Sequence, residues 1–372
     1  MARIGKAAVI DRANGAFTVE EAEVPEPGPG GLLVRQELCG VCATDAYVAR
    51  GHLPGVTFPL VLGHETVGVV DRLGAGVTED VTGRAIAAGD RVYVAPGISC
   101  RNCLFCTVYR QPTLCLRRTG YGFRPRKDAP PFFQGGFAQY VDVAAGSTVL
   151  KMDAGVEAAV SLEPLTIGIH QVERAQPPLG ATVVIQGAGA IGILTLAAAR
   201  EAGAARTIVV GAPDTRLELA RAFGADVTVS IEDVPDPAER VRLVKAETLG
   251  GHGADVVFEC AGVPAAIPEG IDMLRRGGTF VEAGHFTDHG EVPLNPFRHA
   301  VNKQITLVGV WAADTPHFVA GRALIESGRY PFADLVSHTL PLERVADGIA
   351  AIGGSYAVDG REIRKVAIAA NG

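Results

Sequence analysis

No stretch of about 18 consecutive apolar residues, the length that a membrane-spanning helix requires, occurs anywhere in the 372-residue chain. Basic charge is also in deficit: 34 Lys and Arg stand against 41 Asp and Glu, a formal net charge of -7. That balance argues against a nucleic-acid or anionic-membrane surface and leaves a small molecule as the expected partner. The opening residues MARIGKAAVI have neither the apolar core nor the cleavage site of a secretory signal, so a cytoplasmic protein is expected. Internal repeats and low-complexity tracts are absent as well.

What the sequence does contain fits a folded protein with more than one core. Hydrophobic residues make up 48% and charged residues 20%, inside the globular range. At roughly 150 residues per domain, the length predicts two domains. Residues 1–162 are broken by Gly and Pro into short Val-rich runs such as GLLVRQEL and DRVYVAP, which predicts an irregular, strand-rich domain. From Thr182 the pattern changes to apolar strands alternating with Ala/Leu/Arg helices. The series runs TVVIQ, AIGILTLAAAREAG, TIVV, DTRLELARAFG, DVTVS, RVRLVKAETLG, DVVFECAG, a helix from Pro264 to Arg275, TFVEAG and ITLVGV. That alternation predicts βαβ units and a six-stranded parallel sheet over 163–307. Residues 308–372 add an amphipathic helix, FVAGRALIESG, and a strand, EIRKVAIAA, expected to return to the first domain. The expected fold is α/β, with a Rossmann-type unit inserted into a strand-rich one.

Seven cysteines are many for a compartment in which disulfides are rare, and their clustering favours metal. Cys100, Cys103, Cys106 and Cys115 spell CxxCxxC with a fourth cysteine eight residues further on. Four thiolates suit a closed tetrahedral zinc site with no open position, a structural cross-link for a lobe over about 97–118. Cys39 and Cys42 form an earlier pair, and Cys260 stands alone.

Gly187, Gly189 and Gly192 form GAGAIG between TVVIQ and the helix that follows. In that setting the first glycine permits a tight turn, the second lets the backbone approach a pyrophosphate, and the third lets helix and strand pack closely. The helix N-terminus offers unpaired N–H donors to the anion. Ala190 and Ile191 complete the loop, and Ala261 and Gly284 join the candidate dinucleotide contacts. The acid expected about 20 residues later to hold an adenosine ribose is missing. Gly211 and Ala212 occupy its place, the nearest acid is Asp214 and the nearest base is Arg216. Asp214 would repel a 2′-phosphate, which favours NAD over NADP.

A second set of metal-binding residue types is dispersed: CGVCATD at 39–45, GHE at 63–65 and EP at 163–164. Singly, each has a bland explanation in a hydrogen-bonded histidine or a solvated carboxylate. Together, thiolate, imidazole and carboxylate would make a catalytic zinc set with one position left for substrate.

In order and spacing, CGVCATD, GHETVGVV, GDRVYV, the four-cysteine lobe, GGFAQYV, EPLTIGIH, GAGAIG and FECAG resemble the medium-chain zinc-dependent dehydrogenases, especially their polyol, sorbitol and threonine dehydrogenase branch. The resemblance covers nearly the whole chain. It implies a GroES-like catalytic domain around an inserted Rossmann domain, one catalytic and one structural zinc per chain, NAD(P), an alcohol or ketone substrate, and a homodimer or homotetramer. It also implies Cys42 as the first catalytic ligand with Cys39 a packed thiol, and His64 as the imidazole ligand. Glu65 and Glu163 are the carboxylates at or near that metal, either of which could ligate. Thr44 would accept the substrate's hydroxyl proton and Asp45 would fix a ligand or the local backbone. Two departures stand out. The Cys106–Cys115 interval is one residue longer than the commonest pattern, and Tyr47 stands where several relatives carry a proton-relay histidine.

The implied reaction is hydride transfer between a secondary alcohol, such as a polyol or cyclitol, and NAD(P). One rival is a zinc-free quinone or enoyl reductase of the same superfamily, which would lack Cys42, His64 and Glu163. Another is a non-catalytic zinc- or nucleotide-binding redox sensor, which would have no need of Thr44 and Asp45 beside the ligands. The segment 117–136 carries Arg117, Arg118, Arg124, Arg126 and Lys127 among Tyr121, Phe123, Phe132 and Phe133. It could steer an anionic or polyhydroxylated substrate; a solvated or subunit-contact loop is the favoured reading. Trp311, Phe286 and Tyr47 are candidates for a pocket wall or for the core.

Overall fold

A computed structural model describes residues 2–123, 125–126 and 130–372, apart from the side chain of Pro131. By its contacts the chain divides into two units, Met1–Glu163 with Asp314–Gly372, and Pro164–Ala313.

In the first unit, one sheet places Ile4–Ile10 between Phe17–Glu23 and Leu60–Val61. A larger sheet runs in the order Val149–Lys151, Arg91–Val94, Glu65–Leu73, Leu32–Gly40, Lys365–Ala369, Val336–Pro341, with Tyr140–Val143 also paired to Leu32–Gly40. The strand foreseen in EIRKVAIAA is Lys365–Ala369, which pairs antiparallel with the early strand through Ile368↔Cys39 and Ala367↔Gly40. Buried Gln36 brackets this junction, donating through Nε2 to the Ile368 carbonyl at 2.6 Å and accepting from Ala370 N at 3.0 Å. A buried amide is tolerated because its hydrogen bonds are made. Around it Ile10, Leu33, Val41, Phe137, Val366 and Ile368 form the apolar core.

The C-terminal helix Thr315–Glu326 is tied to the same unit by charge. Asp80, 5% exposed, accepts from Arg322 Nη1 at 3.0 Å and from Lys151 N at 3.0 Å through Oδ2. Its Oδ1 takes Thr82 N, Thr82 Oγ1 and Arg84 N at 2.7, 2.6 and 3.1 Å. Burial alone would raise this carboxyl; the donors outweigh it and hold Asp80 below its usual pKa.

The second unit contains six parallel strands: β1 (Thr182–Gln186), β2 (Arg206–Gly211), β3 (Val227–Ser230), β4 (Ala254–Glu259), β5 (Leu274–Glu282) and β6 (Thr306–Gly309). They lie in the order β3-β2-β1-β4-β5-β6, which reverses direction between β1 and β4. This is the dinucleotide-fold order, in which ligands bind at the carboxyl ends of the strands beside the reversal. From Val183 to Gln186 β1 is buried throughout, as a parallel strand covered on both faces must be. The helix expected from Pro264 to Arg275 is shorter, Ala266–Met273, because Leu274 is already extended and opens β5. Beyond β6, Val310 N donates to Glu282 O at 3.0 Å and the Ala312 carbonyl meets His170 Nδ1 at 2.7 Å, so the chain leaves this unit only after Ala313. Among the described residues no helix is long and apolar enough to cross a membrane.

Replacing Asp80 by Asn removes a buried charge that Arg322 needs. At neutral pH the variant is expected to lose about 3 kcal/mol in urea unfolding. Because folding lowers the Asp80 pKa, the wild-type advantage should be complete above about pH 4 and shrink as pH falls through the folded value. A gap that widened on acidification would contradict this account.

Candidate metal centres and nucleotide loop

The strand Leu32–Gly40 leads into a turn that delivers Cys42 to the N-cap of a short helix, Ala43–Ala49. Asp45 closes that cap: its Oδ2 accepts from Cys42 N at 2.9 Å, and Asp45 N donates to the Cys42 side chain. Thr44 Oγ1 lies 3.6 Å from Cys42 Sγ. The second oxygen of Asp45, which is 1% exposed, accepts from Gly63 N at 3.2 Å and faces His64 Nδ1 at 3.2 Å. A carboxylate at Nδ1 assigns the proton to that nitrogen and leaves Nε2 as the electron-pair donor. Burial disfavours a charged His64, but Asp45 outweighs it and holds the imidazole well above its ordinary pKa. Phe123 meets the His64 ring edge-on, with centroids 5.3 Å apart.

Glu65 opens the strand Glu65–Leu73 opposite Gly40. Its carboxylate forms a buried ion pair with Lys365, at the head of the C-terminal strand; the two residues are 1% and 3% exposed. Lys365 was not foreseen, and the only trace of it in the sequence is a charge leading the apolar run KVAIA. Burial favours the neutral amine, but the charges of Glu65 and Cys42 outweigh it and hold the ammonium above its ordinary pKa. A Cβ on Gly40 would stand 1.8 Å from Glu65 Oε2 and 2.8 Å from Lys365 Cε, so only glycine leaves this pair its space.

Cys42, His64 and Glu65 each offer a donor atom within 4.8 Å of the other two. Sulfur, imidazole and carboxylate fit zinc with a coordination position left open. Glu163 stands outside that trio, in the first turn of the helix Leu162–Ala175, and its backbone N–H donates to Tyr93 Oη at 3.2 Å. Burial, against the pull of His64, pushes its carboxyl up to about 7. Cys39 is fully buried, accepts from Thr66 Oγ1 at 3.5 Å, and has its thiol pushed up to about 12 by burial; it is a packed side chain.

The thiols of Cys100, Cys103, Cys106 and Cys115 form a separate group, with Cys103 Sγ 3.5 Å from Cys106 Sγ and 4.0 Å from Cys115 Sγ. Their supports are a single helical turn, Leu104–Thr107, and the paired segments Gly97–Ile98 and Thr119–Gly120. Leu104, Val108, Tyr109, Leu114 and Leu116 are all exposed, so this lobe has little apolar core and depends on its thiols. Backbone N–H groups of Leu116 and Cys106 pull the Cys103 thiol down to about 6, toward the thiolate a metal needs. An all-sulfur set of four fits a closed structural zinc.

The basic–aromatic segment is largely committed to the fold. Arg117 donates to Asn102 Oδ1 at 2.6 Å and Arg126 pairs with Asp142 at 2.6 Å. Tyr121 and Phe133 are buried, and Tyr121 Oη meets Ser147 Oγ at 2.8 Å. Arg118 lies across Gly97, Phe132 packs against the core, and Arg124 and Lys127 fall outside the described residues. Tyr47 stands edge-on to His52, Phe286 lies against His289, and Trp311 is 41% exposed.

In the second unit, Gly187 leaves β1 with φ at +101°, a left-handed turn that favours glycine. A Cβ on Gly192 would lie 1.9 Å from Gly187 O, whereas one on Gly189 would meet nothing within 4 Å. The third glycine is therefore fixed by packing, and the second faces open space at the N-cap of the helix Ala190–Glu201. Ala190 and Ile191 belong to the first turn of that helix, whose leading N–H groups have no intrahelical partner. This cradle fits a pyrophosphate. Ala261 backs Gly187, with Ala261 N 2.9 Å from where a Gly187 Cβ would be, and Gly284 packs on Gly262. At the end of β2, a Cβ on Gly211 would approach that of Ala188 to 2.8 Å, so packing leaves no room for the expected acid. After Ala212, the helix Asp214–Ala222 begins; Asp214 is exposed and 3.4 Å from Arg221, with Arg216 half-buried in the same turn.

Residues 28–154 match the alcohol dehydrogenase GroES-like domain and residues 190–326 the zinc-binding dehydrogenase domain. The 5-exo-hydroxycamphor dehydrogenase of Pseudomonas putida is 33% identical over 359 residues, 92% of this chain and 94% of that protein. The chain belongs to the medium-chain zinc-dependent alcohol dehydrogenase family. The dehydrogenase is likewise 33% identical to the sorbitol dehydrogenase of Gallus gallus, over 92% of its own chain and 91% of the relative. An alcohol dehydrogenase structure from Thermotoga maritima superposes with a TM-score of 0.91 at 30% identity, covering 99% of both chains. A candidate zinc-binding dehydrogenase of Sinorhizobium meliloti 1021, bound to NADP, gives 0.82 at 30% identity over 99% of each. The protein is thus a zinc-containing, NAD(P)-dependent alcohol dehydrogenase, an oxidoreductase acting on CH–OH donors. The zinc-free reductase and the non-catalytic sensor are set aside.

Gly40→Ala would press a methyl group into the Glu65–Lys365 pair. Turnover is expected to fall roughly tenfold or more, with dinucleotide binding unchanged in a fluorescence titration; undiminished turnover would show that the pair tolerates displacement. Cys103→Ser is expected to lose one zinc per chain and to unfold at lower temperature. Full stability with unchanged zinc content would contradict the role given to the thiolate lobe.

Proposed function

We propose that this dehydrogenase oxidises a secondary hydroxyl of a small polyol, cyclitol or related cyclic alcohol to a ketone, and reduces the ketone in reverse. The reading stands on one observation, the convergence of Cys42, His64 and Glu65 around Asp45, which orients one member and caps another. When bound, zinc supplies a Lewis acid that makes the substrate hydroxyl more acidic, and NAD(P) supplies the hydride acceptor.

The chain's own residues do the rest. Cys42, His64 and Glu65 would hold the catalytic metal, and the four thiols of the lobe a structural one. Thr44, 3.6 Å from Cys42 Sγ, puts a hydroxyl beside that metal-holding sulfur, where it can receive the substrate's hydroxyl proton. Asp45 keeps His64 in the Nδ1–H form, and Lys365 holds the Glu65 carboxylate in place. Glu163, pushed up to about 7, can take or release a proton near neutral pH, which suits a second carboxylate in a polyol-type site. Gly187, Gly189, Ala190, Ile191 and Gly192 would take the pyrophosphate, with Ala261 and Gly284 beside them. Gly211, Ala212, Asp214 and Arg216 would lie toward the adenosine ribose, and the charge of Asp214 favours NAD.

Phe123 supports a narrower version of this reading. An aromatic ring against His64 gives the metal-holding trio an apolar neighbour, which favours an alcohol with an apolar face over a fully hydroxylated sugar. The relatives named for sorbitol and for hydroxycamphor bracket that range.

The test is a panel of secondary alcohols, polyols, cyclitols and hydroxy acids, assayed with NAD and NADP separately through the absorbance of the reduced nicotinamide. Activity on a secondary alcohol, with NAD preferred, is expected; activity on none would overturn the substrate class. Cys42→Ser should cut turnover by roughly 10³-fold or more while sparing dinucleotide binding. Normal activity in that variant would remove Cys42 from the catalytic set.

A further inference from the structure

Away from both cysteine-containing groups, the second unit holds a third cluster of metal-binding residue types. Glu259 ends β4, Glu282 ends the neighbouring β5, and His285 follows one short turn later. One donor atom from each lies within 4.8 Å of the other two. His285 Nδ1 is 3.0 Å from Glu282 Oε1 and 3.5 Å from Glu259 Oε2. Glu282 Oε1 can take the Nδ1 proton at this distance, which leaves Nε2 as the electron-pair donor of the imidazole.

The local chain holds these side chains and leaves their far atoms unused. Glu259 is completely buried, and its Oε1 accepts from Ala261 N and Gly262 N, both at 2.8 Å. Glu282 Oε1 accepts from His285 N at 3.0 Å. Among the described residues, Glu259 Oε2, Glu282 Oε2 and His285 Nε2 are buried without a hydrogen-bond partner. Gly284 makes the space, since a Cβ there would stand 2.1 Å from Glu259 Oε2. His289 is no fourth donor: its Nδ1 lies 3.2 Å from Gly262 O and its Nε2 3.0 Å from Thr287 Oγ1. Glu259 is fully buried while the Glu282 and His285 side chains are 22% and 13% exposed. Two carboxylates brought together there repel each other, and unsatisfied buried oxygens are costly; a cation answers both.

We propose that Glu259, Glu282 and His285 form a thiolate-free binding site for a divalent transition-metal ion at the carboxyl edge of the parallel sheet. Two carboxylates with one imidazole, and no sulfur, suit zinc, manganese or ferrous iron better than a soft cation. The ion would cross-link the ends of β4 and β5 and would retain a position for water. This site shares no ligand with the cysteine groups, although Ala261 and Gly284, assigned beside the dinucleotide, border it; its metal content is therefore read separately from turnover.

The test uses the full chain, stripped with chelator and re-equilibrated with zinc, with metal counted by mass spectrometry. Wild type is expected to hold one more zinc per chain than Glu282→Gln or His285→Leu, while Cys42→Ser and Cys103→Ser each lose a different equivalent. Equal zinc content in wild type and both cluster variants would overturn the proposal. Cobalt decides the matter on wild type alone, should the variants fail to fold. With the cysteine-containing groups filled by zinc, added cobalt should give visible d–d absorption without a thiolate charge-transfer band. No new absorption, or absorption carrying that band, would also overturn it.

Discussion

The candidate catalytic centre depends on one buried carboxylate. Asp45 receives Cys42 N–H, Gly63 N–H and the Nδ1 side of His64, three groups from two segments distant in sequence. A carboxylate at 1% exposure is expensive to bury, and these donors are what make it tolerable. In return, the helix cap fixes the Cys42 backbone and the imidazole is held in one tautomer. An Asn at this position could not accept through both side-chain atoms, so the charge and the geometry come from the same group.

A second constraint comes from the far end of the chain. Pairing of Lys365–Ala369 with Leu32–Gly40 completes the sheet and carries Lys365 to Glu65. The trio Cys42, His64 and Glu65 brings two potential negative charges together, which without a counter-charge would repel. Lys365 supplies that counter-charge from a strand whose remaining residues are apolar, and Gly40 has no side chain because the ion pair passes over it. Sheet closure and the electrostatics of the site are therefore one feature, which explains why a C-terminal strand belongs to the N-terminal unit.

The sequence was legible wherever chemistry is local. Four cysteines within a short span can reach one point whatever the surrounding fold does, and GAGAIG between strand and helix fixes its own backbone. Alternating strands and helices sufficed for the α/β class, because right-handed βαβ connections leave few ways to order a parallel sheet. Illegible features were those set by pairing between distant strands. Lys365 acquires its partner only through the register Ala367↔Gly40, and Glu259 meets Glu282 only because β4 and β5 are neighbours. Gly211 shows the same limit from the other side: its missing acid reads as a choice of cofactor, yet the contact with Ala188 means that packing forbids any side chain there.

Three buried carboxylates in this chain, Asp45, Asp80 and Glu259, use a common device, in which backbone N–H groups from a loop converge on a carboxylate and fix the loop. They differ in how completely they are satisfied. Both oxygens of Asp45 and of Asp80 have donors, and each carboxylate faces a histidine or an arginine. Glu259 has backbone donors at one oxygen alone; its other oxygen lies 3.5 Å from His285 Nδ1, which already meets Glu282 Oε1 at 3.0 Å, and Glu282 adds a further negative charge on the neighbouring strand. Burial without compensation is unstable unless a proton or a cation enters, and a proton satisfies one of the two carboxylates and leaves His285 Nε2 as it was. A divalent ion answers the charge of both carboxylates and takes the imidazole as well, which is why occupancy by metal is the more complete solution for this cluster.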